Sequence, residues 1–138
     1  MKKIIEEKLN QTLEGKEFKW SFTLEQAGFY AIEIVATCKS WRQNFPPKDD
    51  DLAVKINGTS FPQKKNSSRL FDAEMSWNGN KLKGLSKTNL FILYLAQGNH
   101  NLTFLIDKSP FLQSIKVYQI ENDQLSYLPP NNPPQDNF

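Results

Sequence analysis

The sequence predicts an all-β fold, a two-sheet antiparallel β-sandwich. Three observations point there: apolar residues recur at every second position through most of the chain, turn residues break these runs at short intervals, and bulky β-formers are plentiful. Of the 138 residues, 38% are hydrophobic and 12% aromatic, with ten Phe, three Trp and four Tyr. A chain of this size can bury roughly two-thirds of its unfolded surface, enough for one core without metal or disulfide staples.

Taken in order, IIEEKLNQTL at the start fits a strand or a helix equally well. EFKWSFTL (17–24) alternates, with Phe18, Trp20, Phe22 and Leu24 on one side, which places Trp20 in the core. After Ala27-Gly28, FYAIEIVATC puts Tyr30, Ile32, Ile34, Ala36 and Cys38 on one face, and the two runs read as a hairpin. SWRQNFPPKDDD reads as a loop, because Pro46 and Pro47 remove ladder donors and Asp49, Asp50 and Asp51 would repel one another unless solvated.

LAVKI (52–56) alternates again and ends at Asn57-Gly58, a dipeptide suited to a tight turn, with TSFP returning as a second short strand. PQKKNSSR (62–69) reads as an exposed loop, and LFDAEMSW as a strand closing at the turn Asn78-Gly79-Asn80. LFILYL, the turn 97–100, and alternating Leu102, Phe104 and Ile106 predict an antiparallel hairpin from Leu90 to Asp107. FLQSIKVYQI (111–120) is the last main strand, with a weaker one at 125–128. About seven to nine short strands at this spacing is sandwich spacing. The expected domain spans 1–128, and the Pro/Asn-rich segment 129–138 reads as a linker, as in one domain of a larger protein.

Charge and cysteine content narrow the function classes. With 17 basic and 15 acidic residues the net charge is +2, so neither nucleic acid nor an anionic membrane is an expected partner. The start MKKIIEEKLN lacks the apolar stretch of a signal peptide, and the compartment stays open between cytoplasmic and, for an excised domain, extracellular. Cys38 is the single cysteine, expected as a buried, inert thiol.

The segment GNKLKGLSKTNLFILYLAQGNHNLTFLIDKSPFLQSIKVYQI resembles the closing half of galactose-binding-like jelly rolls and related carbohydrate-binding modules. The matching pieces are Gly98 to His100, the hxFxxD strand Leu102 to Asp107, and Ser114 to Tyr118; GFYAIEIVATC resembles their second-strand pattern. The resemblance covers roughly residues 17–120 and carries fold signatures more than ligand signatures. It implies a jelly roll that binds glycan without catalysis, often joined to other domains. Many such modules hold a structural calcium with an acid in the last strand. Here Gln113 and Ser114 stand in that place, so no complete calcium motif is present and no cofactor is expected.

Sugar recognition needs a flat apolar surface beside planar polar groups. Trp41-Arg42 and Trp77-Asn78-Gly79-Asn80 have that composition at strand-to-loop transitions. The expected ligand-binding residues are therefore Trp41, Arg42, Trp77, Asn78, Asn80, Lys81 and Asp107, meeting at one end of the sandwich. The alternative is that both tryptophans plug the core, with their N–H groups bonded locally and the asparagines making turns. Asp107 is read as capping its turn or reaching ligand.

No catalytic or metal residue is expected. His100, the sole histidine, reads as a surface turn residue without partners for a zinc site or a nucleophilic triad. No acidic pair stands out at glycosidase spacing. The expected function is a noncatalytic carbohydrate-binding module with a polysaccharide or glycan as partner. The alternative is a structural or protein-interaction domain in contact with other domains of a parent chain.

Overall fold

The computed structural model describes residues 1–41, 48–61 and 70–121. The expected linker 129–138, the weak strand at 125–128, the loop 62–69 and Arg42 lie outside them. Ten strands are described: β1 Lys2–Thr12, β2 Glu17–Leu24, β3 Gly28–Thr37, β4 Ser40–Trp41, β5 Lys48–Asp49, β6 Asp51–Ile56, β7 Trp77–Asn78, β8 Ser86–Leu95, β9 Gly98–Asp107 and β10 Phe111–Gln119, with one helical turn, α1, at Gly79–Leu82.

They form an antiparallel sheet of order β1-β10-β3-β8, a second of order β2-β9-β6-β7, and a small β4–β5 ribbon. Leaving that ribbon aside, each main strand from β1 to β6 and from β7 to β10 enters the opposite sheet from its predecessor, which is the jelly-roll order. The core lies between the sheets. Tyr30, Ile32, Ile34, Phe91, Leu93, Ile115 and Val117 on one side meet Phe22, Leu24, Leu52, Val54, Leu102 and Phe104 on the other. Each such side chain contributes roughly 1.5–3 kcal/mol by leaving water.

The strand positions follow the sequence pattern, whereas several pairings differ from expectation. β2 and β3 are not a hairpin: β2 pairs with β9, and β3 with β10 and β8. Likewise β8 and β9, read as a hairpin, belong to different sheets. Alternation records only which face of a strand is buried. A strand crossing over the core buries the same alternate residues as one lying alongside its predecessor.

Local corrections have local causes. The N-terminal segment is a strand, held by β10. Asn57 and Gly58 take φ of 51° and 81°, the tight turn their residue types favour, but the return amounts to the single bridge Ile56–Thr59. LFDAEMSW is not a strand: Leu70–Asp72 form a 3₁₀ turn, Ser76 Oγ donates to the carbonyls of Phe71 and Ala73, and only Trp77–Asn78 pair with β6. The expected turn at 78–80 is the start of α1, where Asn78 Oδ1 accepts from Lys81 N as the cap.

His100 is buried rather than on the surface, at 7% exposure. Its Nε2 donates to Ala96 O at 2.7 Å, so its Nδ1 accepts from Asn57 Nδ2 at 2.9 Å. Cys38 is buried as expected, and burial pushes its thiol well above the usual range. No helix among the described residues is long and apolar enough to cross a membrane.

Candidate functional site

Trp41 is the half-buried tryptophan of a short ribbon, with Ser40 opposite Asp49 and Trp41 opposite Lys48. Its Nε1 donates to Asp50 Oδ1 at 2.9 Å. The same oxygen accepts from Ser109 N at 3.1 Å and Ser109 Oγ at 3.4 Å, while Oδ2 accepts from Lys39 N at 3.2 Å. Asp50 is only 2% exposed, and so is neither solvated nor part of a repelling surface cluster. One buried carboxylate thus joins the end of β3, the β4 tryptophan and the turn after β9, each donor meeting a charged acceptor.

That turn is unusual. Lys108 adopts φ of 66°, a conformation uncommon for a residue with a Cβ, and its Nζ lies 5.5 Å from the Trp41 ring centroid. Trp41, Asp50 and Ser109 line an open pocket of about 380 Å³ with Lys39, Phe111 and Gln113. Gln113 is held in place through its side-chain amide by the hydroxyls of Thr37, at 3.1 Å, and Ser86, at 2.9 Å. The pocket therefore combines an oriented indole, a second aromatic ring, hydroxyl and amide groups, and one lysine, Lys39.

The expected site residues do not converge. Trp77 is 0% exposed, and its Nε1 donates to Lys87 O at 2.9 Å. An indole enclosed on all sides offers no face to a sugar, so Trp77 is corrected from binding platform to core residue. Asn78 caps α1 with its oxygen, and its Nδ2 donates to Phe71 O at 3.3 Å and Asp72 Oδ1 at 3.2 Å. Asn78 and Lys81 line a different pocket, of about 240 Å³, with Phe71, Ser76, Leu82 and Lys87. Asn80 is exposed on α1, and Asp107 is exposed at the end of β9. Arg42 follows Trp41 directly but lies outside the described residues.

The two pockets are joined through backbone. Gly79 N donates to Asp50 O at 2.8 Å and to Asp51 Oδ1 at 3.1 Å. A methyl group on Gly79 would collide with the carbonyl oxygens of Lys39 and Asp50. Asp51, 5% exposed, stands opposite Asp107 in register, and burial first, then the Asp107 and Asp49 charges, push it up to about 6. Among the described residues, no three His, Cys, Asp or Glu side chains converge as a metal site.

Sequence reasoning missed Asp50, Ser109, Lys108, Phe111 and Gln113. A signal did exist for Asp50, since it directly precedes an alternating strand and is therefore anchored beside the core. Ser109 and Phe111 carry no such signal, because only the sheet crossing brings them to Trp41.

No protein-family model matches the sequence, and no curated protein matches it. Among solved structures, the chain is similar to a native family 35 carbohydrate binding module from Clostridium thermocellum, with 15% identity over 84% of this chain and 88% of that one, at a TM-score of 0.46. A further family 35 module from the same organism matches with 16% identity over 83% and 86%, at 0.45. A family GH115 4-O-methyl-α-glucuronidase with specificity for decorated arabinogalactans matches with 10% identity over 80% of this chain and 14% of its own, at 0.44. Likenesses of this size say nothing of a ligand for this chain.

Proposed function

We propose that the protein is a noncatalytic carbohydrate-binding module that takes a glycan in the pocket lined by Trp41. The observation that carries this reading is the oriented indole: Asp50 fixes the Trp41 ring by its N–H, so the ring borders an open pocket beside Phe111 with its conformational freedom already reduced. Ser109, Gln113 and Lys39 supply hydrogen-bonding groups at the same walls. Arg42, next in sequence, is assigned to the same role. The pocket's carboxylate supports a binding reading over a catalytic one, since Asp50 is buried and bonded to backbone and side-chain donors that hold the fold.

Affinity for a single sugar is expected to be weak, because an open pocket buries little area and displaces well-bonded water. Affinity electrophoresis against a panel of neutral and acidic polysaccharides tests the reading. Retardation of the wild type, lost at least about tenfold in Trp41→Ala, supports it. Failure of every polysaccharide to retard the folded wild type rejects it.

The burial of Trp77 favours a second reading, in which the sandwich is a structural or protein-interaction domain. That reading gains if Trp41→Ala and the wild type migrate alike in every gel.

A further inference from the structure

The floor of the Trp41 pocket belongs to a longer row of residues. Thr12 on β1 stands opposite Phe111 on β10, Phe111 opposite Thr37 on β3, and Thr37 opposite Ser86 on β8. Register partners share a face of the sheet, and here it is the outer one, since the adjoining Leu112, Ala36 and Cys38 point into the core. The row thus crosses the whole sheet β1-β10-β3-β8, a span of three strand spacings or about 14 Å. Thr12, Phe111 and Thr37 line the pocket, and Ser86 lies exposed one strand beyond it.

Gln113 ties the pocket to that outer end. The register shifts on both sides of β10 here, between Leu112 and Ser114 against β3 and between Lys8 and Gln11 on β1, so Gln113 sits in a bulge. Bulges re-aim a side chain and are common beside functional sites. Gln113 Oε1 accepts from Thr37 Oγ1 at 3.1 Å and Ser86 Oγ at 2.9 Å, while the two hydroxyl oxygens lie 2.9 Å apart. These three oxygens share two hydroxyl protons, which leaves the cluster with acceptor capacity, and Gln113 Nε2 keeps its donors. A sugar hydroxyl, which both donates and accepts, meets both needs. Surface side chains bonded to one another add little to stability, yet they offer a ligand groups whose rotamers are already fixed.

We propose that the glycan site is a groove running from the Trp41 pocket over Gln113 and Thr37 to Ser86, and that it takes an internal stretch of a polysaccharide chain lying across the strands rather than a single terminal sugar. This inference rests on the glycan reading of the Trp41 pocket. One pyranose ring is much shorter than the row, so a ligand of one sugar leaves Ser86 without a contact. Phe111, half-buried in the row, sets a ring between hydroxyl-bearing neighbours, matching the alternation of apolar faces and hydroxyl rims along a glycan chain.

The experiment uses size-fractionated fragments of the polysaccharide that retards the wild type, from one sugar to about six, as competitors in the affinity gel with the full chain. In the wild type, affinity rises at least about tenfold between one sugar and about four, as contacts worth roughly fivefold each are added along the row. In Ser86→Ala, an exposed substitution checked for fold by circular dichroism, the rise flattens and the longer fragments lose about fivefold. Ser86→Thr, which keeps the hydroxyl, restores the rise. A wild type that binds one sugar as tightly as about four, or a Ser86→Ala that keeps the full rise with length, overturns the groove and leaves the Trp41 pocket standing. Retardation by no polysaccharide overturns both.

Discussion

The Trp41 indole donates its N–H to Oδ1 of Asp50 at 2.9 Å, and Asp50 is 2% exposed. The carboxylate also receives the amides of Lys39 and Ser109, so its removal leaves several donors with no acceptor. Asp50→Ala is expected to cost about 2–4 kcal/mol, measured by urea unfolding. Trp41→Phe removes only one donor and costs less. A double-mutant cycle between the two should return a coupling of about 1–2 kcal/mol.

The two loop tryptophans separate by stability. Trp77 is fully buried with its N–H on the Lys87 carbonyl, and Trp77→Ala is expected to cost about 3–5 kcal/mol, enough to unfold a marginal domain. Trp41→Ala, at a half-buried site, keeps the fold and a cooperative transition by circular dichroism. Equal losses for the two would contradict the distinction between core and pocket.

The same contrast shows what the sequence could disclose. The phase of Trp20 with Phe18 and Phe22 puts it on the core-facing side of β2, since period-two alternation is a direct consequence of strand geometry, but there it is only partly buried and packs against the core from outside. Trp77 belongs to a strand of only two residues, too short to show a phase. Pairing was less legible still. The alternation of β8 and β9 marks both as strands, but the choice between neighbour and opposite partner depends on the corner between them, for which alternation holds no information. The pocket lies at such crossings, where Ser109 and Phe111 approach Trp41 from distant sequence.

Gly79 is required for close approach rather than for backbone freedom. Its amide serves both Asp50 O and Asp51 Oδ1, and a Cβ would meet the Lys39 and Asp50 carbonyl oxygens. Gly79→Ala is expected to cost about 1–3 kcal/mol, seen as a fall of roughly 4 °C in Tm per kcal/mol. A Tm equal to that of the wild type would show that β4 and α1 separate without cost.

Cys38 is 0% exposed, its Sγ lies 3.7 Å from Trp77 O, and burial raises its thiol. The thiolate is the reactive form, so a disulfide reagent is expected to leave the native protein unmodified at neutral pH and to label it fully in denaturant. Rapid labelling of the native protein would mean that the β3 end opens readily.

Asp51 makes stability depend on pH in a direction opposite to that of a salt-bridged carboxylate. Burial raises it from 3.8 to about 6, so between those values the folded protein binds more protons than the unfolded chain. Its stabilising contribution is therefore complete below about pH 4, declines as the pH rises, and is lost above about pH 6. Asp51→Asn keeps an oxygen for Gly79 N and offers Asp107 an amide donor, mimicking the protonated form at every pH. The variant is expected to exceed the wild type by about 1–3 kcal/mol at pH 7.5, with the difference shrinking toward zero near pH 4. Urea unfolding of both proteins across this range checks it. A constant difference at every pH would show that Asp51 is not the group that titrates.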